Sequence, residues 1–180
     1  MGRLVLLFVS LMTFVGCWIA PGPAAAAPDC GSAWDSLDKV SPDRSLAPIT
    51  GVRSGRHECF DRLVFDIAGS ATGYHVGYVD RVVMDGSGAV VPLRGGALLN
   101  VVVGAPAYDD AGNATYRSEN RAELADVGGY QTFRQVAWAG SFEGQTTVGL
   151  GVRARLPFQV HRLDGPGSGS RVVVDVAHSW

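Results

Sequence analysis

Asp61-Arg62-Leu63-Val64-Phe65-Asp66-Ile67-Ala68 alternates with a period of two: Leu63, Phe65 and Ile67 share one face, and Arg62, Val64 and Asp66 the other. Successive side chains of a strand point to opposite faces, so the spacing predicts a half-buried strand over residues 59–67. Far along the chain, Ser170-Arg171-Val172-Val173-Val174-Asp175-Val176-Ala177 repeats the pattern, again with Arg and Asp four residues apart. Asp80-Arg81-Val82-Val83-Met84-Asp85 is a partial third copy. Equivalent strands from two sheets, or the halves of a pseudo-symmetric sandwich, would produce such copies. Their charged residues would form cross-strand ion pairs, each worth little at a surface.

Working outward, further short strands are expected over residues 74–84, 89–93, Ala97–Val103, 133–139, 146–153, 158–163 and 171–177. Turn-forming stretches separate them, among them Asp85-Gly86-Ser87-Gly88, Gly140-Ser141-Phe142-Glu143-Gly144 and Asp164-Gly165-Pro166-Gly167-Ser168-Gly169. Ala97–Val103 is almost continuously apolar, as for a central strand buried on both faces. Some eight short strands with 24 glycines and nine prolines predict an all-β fold, a single β-sandwich over residues 49–178. Phe65, Tyr78, Phe133 and Phe158 are its expected core rings. Residues 27–48 form a short N-terminal extension, where Ser32 is a candidate N-cap for one helical turn limited by Pro42 and Pro48. Between residues 104 and 129 the periodicity lapses, with a second candidate helix over 118–126. Irregular connections of that length usually serve a function.

Residues 1–26 have the form of an export signal. Arg3 precedes an apolar run from Leu4 to Ala20, Pro21 and Pro23 break it, and Ala24 and Ala26 satisfy the small-x-small cleavage rule. Cleavage after Ala26 is expected, which leaves no membrane span in the mature chain; an uncleaved anchor would want about 20 apolar residues. Cys17 after Phe14-Val15-Gly16 offers a lipid-anchor reading, which the apolar Trp18-Ile19 disfavours. Each version places the domain outside the cytoplasm, secreted or wall-associated. There, Cys30 and Cys59 are an even pair in an oxidising compartment, and a disulfide is expected to tie the extension to the first firm strand. Closing about 30 residues in this way is worth roughly 3.6 kcal/mol in the chain-entropy model.

The formal charge of −2, with Lys39 the single lysine, excludes the basic footprint of a nucleic-acid binder. His57, His75, His161 and His178 show no metal-ligand spacing, and neither a C-x-x-C nor a G-x-S-x-G motif occurs. No catalysis, metal or cofactor is therefore expected.

Several stretches in order resemble the AMIN-like domain of secreted bacterial proteins. They are Val52-Arg53-Ser54-Gly55-Arg56-His57-Glu58-Cys59-Phe60-Asp61-Arg62-Leu63-Val64-Phe65, Gly73-Tyr74-His75-Val76, Pro92-Leu93-Arg94-Gly95-Gly96, Phe142-Glu143-Gly144 and Arg171-Val172-Val173-Val174-Asp175-Val176-Ala177-His178. The resemblance covers about residues 49–178 and implies kinship with the AMIN domains of cell-wall amidases, small β-sandwiches that bind peptidoglycan. It implies a non-catalytic envelope module that binds peptidoglycan or another wall glycan; the alternative is a module that holds a partner protein at the envelope. Sugar surfaces use flat aromatic rings beside fixed polar groups. The candidate ligand-binding residues are accordingly Tyr108, Tyr116, Arg117, Arg121 and Tyr130, in or beside the irregular stretch, with Asp109 and Asp110 as further polar groups.

Overall fold

The computed structural model describes residue 30 and residues 33–70 and 73–180; the expected export signal and Ser32 lie outside the described residues. Among the described residues the chain is all-β. Its strands are β1 (Lys39–Ser41), β2 (Ile49–Arg56), β3 (Phe60–Ile67), β4 (Tyr74–Val79), β5 (Val82–Val83), β6 (Val90–Val91), β7 (Ala97–Val103), β8 (Phe133–Phe142), β9 (Gln145–Val152), β10 (Phe158–Asp164) and β11 (Ser170–Ala177). A five-stranded sheet runs β1-β4-β7-β9-β8 and a four-stranded sheet β10-β11-β3-β2, antiparallel throughout; β5 and β6 form a small hairpin.

The two copies of the opening motif, β3 and β11, are neighbours in the same sheet rather than counterparts in two. They run antiparallel with Val64 opposite Val173, so Arg62 faces Asp175 and Asp66 faces Arg171. Their inward residues, Leu63, Phe65 and Ile67 with Val172, Val174 and Val176, meet Leu99, Val101, Val136, Val148 and Leu150 of the other sheet in one core. Burying each such side chain contributes about 1.5–3 kcal/mol. Phe65, Phe133 and Phe158 are fully buried, whereas Tyr78 is half-buried, its ring edge-on to Phe158 at 5.6 Å. The Tyr78 hydroxyl donates to the Leu156 carbonyl (2.8 Å) and accepts from the Leu156 amide (2.9 Å).

Several expectations need correction. Eleven strands replace about eight, because β1 is too short to show a period, the polar, glycine-containing β2 hides one, and one expected strand is two. The expected strand 74–84 breaks after Val79 into β4 and β5. Burial on both faces belongs to β9, not to Ala97–Val103, which alternates instead. The reason is the outer cover: a Cβ on Gly149 would meet Leu93 and Val82, and one on Gly151 would lie 1.8 Å from the Arg94 carbonyl oxygen. The β8–β9 connection is also tighter than the five residues expected. Strand pairing continues to Phe142 opposite Gln145, and Glu143-Gly144 alone make the turn, both at positive φ (49° and 76°).

The extension belongs to the sandwich. Residues 33–35 are not helical; the Asp35 carbonyl accepts from the Phe158 amide (2.9 Å) at the edge of the four-stranded sheet. Four residues on, β1 pairs with β4 at the edge of the other sheet. The Cys30–Cys59 disulfide is formed, Cα to Cα 5.2 Å, and fixes the start of this strap beside β3.

Candidate functional site

The irregular stretch is built as a cover for a sheet edge. β8 ends the five-stranded sheet, and a bare edge exposes unpaired amides and carbonyls. The chain meets that edge with three hydrogen bonds: the Trp138 amide to the Arg121 carbonyl (2.7 Å), the Leu124 amide to the Val136 carbonyl (2.8 Å), and Gln135 Nε2 to the Ala122 carbonyl (2.9 Å). Residues 118–126 therefore form turns rather than the candidate helix, since their backbone groups are spent on β8. Earlier in the stretch, the Ile49 amide donates to the Pro106 carbonyl (2.7 Å) and Thr115 Oγ1 to the Ile49 carbonyl (2.8 Å), which ties it to β2. Asp109 closes a tight loop by accepting from the Ala111 and Asn113 amides (3.0 and 2.8 Å). Those bonds hold its carboxyl below the usual aspartate range, the Asn113 side chain contributing most.

Between this cover and β8 lies a cleft of about 420 Å³, within the usual range for a small-ligand site. Tyr116, Trp138 and buried Leu124 supply its apolar lining, and Arg117, Ser118 and Arg121 its polar one. The Tyr116 and Trp138 rings are half-buried, with centroids 5.8 Å apart and planes inclined at 36°. Both rest on the main core, so each keeps one side fixed and part of its surface open. Burial pushes the Tyr116 phenol above its ordinary pKa, partly opposed by the Ser118 hydroxyl. The phenol therefore stays neutral near pH 7, able to donate and accept hydrogen bonds.

Of the residues expected from the sequence, Tyr116, Arg117 and Arg121 meet here; Tyr108 and Tyr130 lie elsewhere. The Tyr108 hydroxyl accepts from the Gly144 amide (3.0 Å) and braces the β8–β9 turn. Tyr130 stacks on Phe133 (6.0 Å), hydrogen-bonds Ser54 (2.9 Å) and lies under the Arg56 guanidinium (5.9 Å). Ser118 and Leu124 are not among the residues expected from the sequence, and Trp138, flanking an expected turn, is a ring the sequence leaves equally open to core or ligand contact. Trp138 sits beside a bulge between Trp138 and Gly140, where the period of two that assigns faces is broken.

The charged outer face of β3 and β11 is largely self-neutralised. Arg62 grips the buried Asp175 carboxylate with two bonds (2.6 and 2.8 Å), and Arg53 does the same to Asp66 (2.8 and 2.9 Å). At the end of the sandwich, buried Asp61 accepts from the Thr132 and Phe133 amides (2.6 and 3.0 Å) and from His178 Nε2 (3.1 Å). Among the described residues, no cluster of His, Cys, Asp and Glu has the makings of a metal site, and no helix is long and apolar enough to cross a membrane.

No curated protein and no solved structure matches the chain. The family model for the AMIN-like domain matches residues 47–178, from the residue before Pro48 to the histidine that caps Asp61. The chain belongs to the AMIN-like domain family.

Proposed function

We propose that this domain is a non-catalytic, extracytoplasmic module that binds peptidoglycan or another wall glycan in the Tyr116–Trp138 cleft. The observation that carries this reading is the pair of half-open rings beside Arg117, Ser118 and Arg121. A pyranose has an apolar face that suits a ring and hydroxyls that suit the polar groups beside it. Family membership supports a wall-related role, and the Cys30–Cys59 disulfide suits an oxidising compartment outside the cytoplasm. Purified domain mixed with protein-free insoluble wall material should sediment with it. Tyr116→Ala and Trp138→Ala should each weaken that binding by about 1–3 kcal/mol, roughly 5- to 150-fold. Soluble protein that never sediments, or variants that sediment like the parent, would contradict the reading.

A second reading has its own observation. The β5–β6 hairpin directs the cross-strand pair Val83 and Val90, 40% and 59% exposed, into solvent. An envelope protein with an apolar patch could be held there. Under that reading Val83→Lys abolishes capture of the partner, and sedimentation with bare wall is absent.

A further inference from the structure

We propose that the ligand of the cleft is an anionic saccharide, its ring against Tyr116 and Trp138 and its carboxylate or phosphate between Arg117 and Arg121. This rests on the cleft being the glycan site and adds what kind of glycan enters it.

The first observation is the lining itself: two guanidinium groups, a hydroxyl and two aromatic rings, with no acidic residue. The second is the state of those guanidinium groups. Among the described residues, neither the Arg117 nor the Arg121 side chain has a hydrogen bond, ion pair or ring contact, and both are exposed. Elsewhere in the chain arginines are engaged: Arg53 with Asp66, Arg62 with Asp175, Arg94 with Glu123, Arg162 with Asp43. Arg81 is likewise free but lies outside the cleft. In a chain of net charge −2, two unneutralised cations beside one aromatic cleft leave a local positive site in an acidic molecule.

The two cations flank a short turn. Ser118 Oγ donates to the Asn120 carbonyl (2.9 Å) and Asn120 Oδ1 accepts from the Ala122 amide (3.0 Å), which folds residues 118–122 into a tight turn. The carbonyl of Arg121 itself accepts from the Trp138 amide, so one cation is tied to the backbone of one ring. Two guanidinium groups on one cleft suit an oxyanion through charge-assisted, bidentate hydrogen bonds, whereas a neutral sugar would leave both without a counter-charge. The carboxylate of a lactyl-bearing or uronic sugar and the phosphodiester of a phosphate-linked wall polymer share this chemistry.

The test titrates the whole exported domain with three soluble probes, by calorimetry at low salt. One is a wall disaccharide carrying its free lactyl carboxylate, the second the same disaccharide with that group as a methyl amide, and the third a phosphodiester-linked glycan oligomer. The carboxylate form should bind about tenfold or more tightly than its amide, as expected for charged hydrogen bonds. Arg117→Gln combined with Arg121→Gln should abolish that preference without lowering the unfolding temperature, since both side chains are exposed. A preference for the phosphodiester over both disaccharides, lost in the same variant, keeps the anion site and assigns the phosphate source. Equal binding of acid and amide, with no phosphodiester preference, overturns the anionic ligand but leaves the glycan cleft standing. No binding of any probe overturns both.

Discussion

Asp61 and His178 show how a buried polar residue is held in this fold. The Asp61 carboxylate is fully buried, and its three hydrogen bonds come from two places: two adjacent amides where the irregular stretch enters β8, and the ring of His178 just past β11. His178 Nδ1 in turn faces the Glu58 carbonyl at 3.2 Å, beside the disulfide. Removing the carboxylate strips two buried amides and the His178 ring of their acceptor, at about 1–3 kcal/mol for each buried donor left unpaired, whereas removing the ring leaves Asp61 with its two amide donors. Asp61→Ala should therefore lower the free energy of unfolding by about 3 kcal/mol or more in denaturant titration, and His178→Ala by about 1–3 kcal/mol. A loss under 1 kcal/mol in both would mean that water satisfies the site. Neither residue lines the Tyr116–Trp138 cleft, so this cluster is a structural clamp.

At the scale of elements, the ion pairs of the four-stranded sheet explain the repeated motif. An antiparallel pair in this register sets each copy's Arg opposite the other's Asp, so one pattern read in both directions serves both strands. Only one of the two cross-strand pairs forms; Asp66 turns to Arg53 of β2, and Arg171 instead donates to the Asp164 carbonyl (3.0 Å). Arg62→Ala should cost about 3 kcal/mol or more because Asp175 is fully buried, while Arg62→Val with Asp175→Val should restore most of it or add stability. Chemical denaturation of the single and double variants checks this, and a double variant no better than Arg62→Ala would contradict it. β3 and β11, whose alternation is sustained, are legible in the sequence, and β7 is legible as a strand from its apolar run though not in which face it buries. β1 is not, because three residues just before Pro42 owe their conformation to pairing with β4 rather than to any period. The expected helix over 118–126 failed for the same reason, since hydrogen bonds to β8 decided that backbone. The cleft was legible in kind, as rings and arginines on an irregular stretch. Its membership was not: spacing along the chain could neither bring in Trp138 across a bulge nor set Tyr108 and Tyr130 apart.

For the whole molecule, the irregular stretch and the N-terminal strap do related jobs at the sheet edges. The strap joins the β10 edge of one sheet to the β4 side of the other, through Asp35 and β1, while residues 104–130 run between β2 and β8. Both sheets are thus tied together along their margins, and the margin at β8 is where the open rings lie. The proposed function requires this margin to bind the glycan. Hydrogen–deuterium exchange of the intact domain, with and without soluble wall glycan, tests it most directly. Exchange should slow on binding over residues 114–124 and at Trp138, with little change on β3 and β11. Protection confined to the Arg62 and Arg171 face of the four-stranded sheet, with the cleft unchanged, would contradict it.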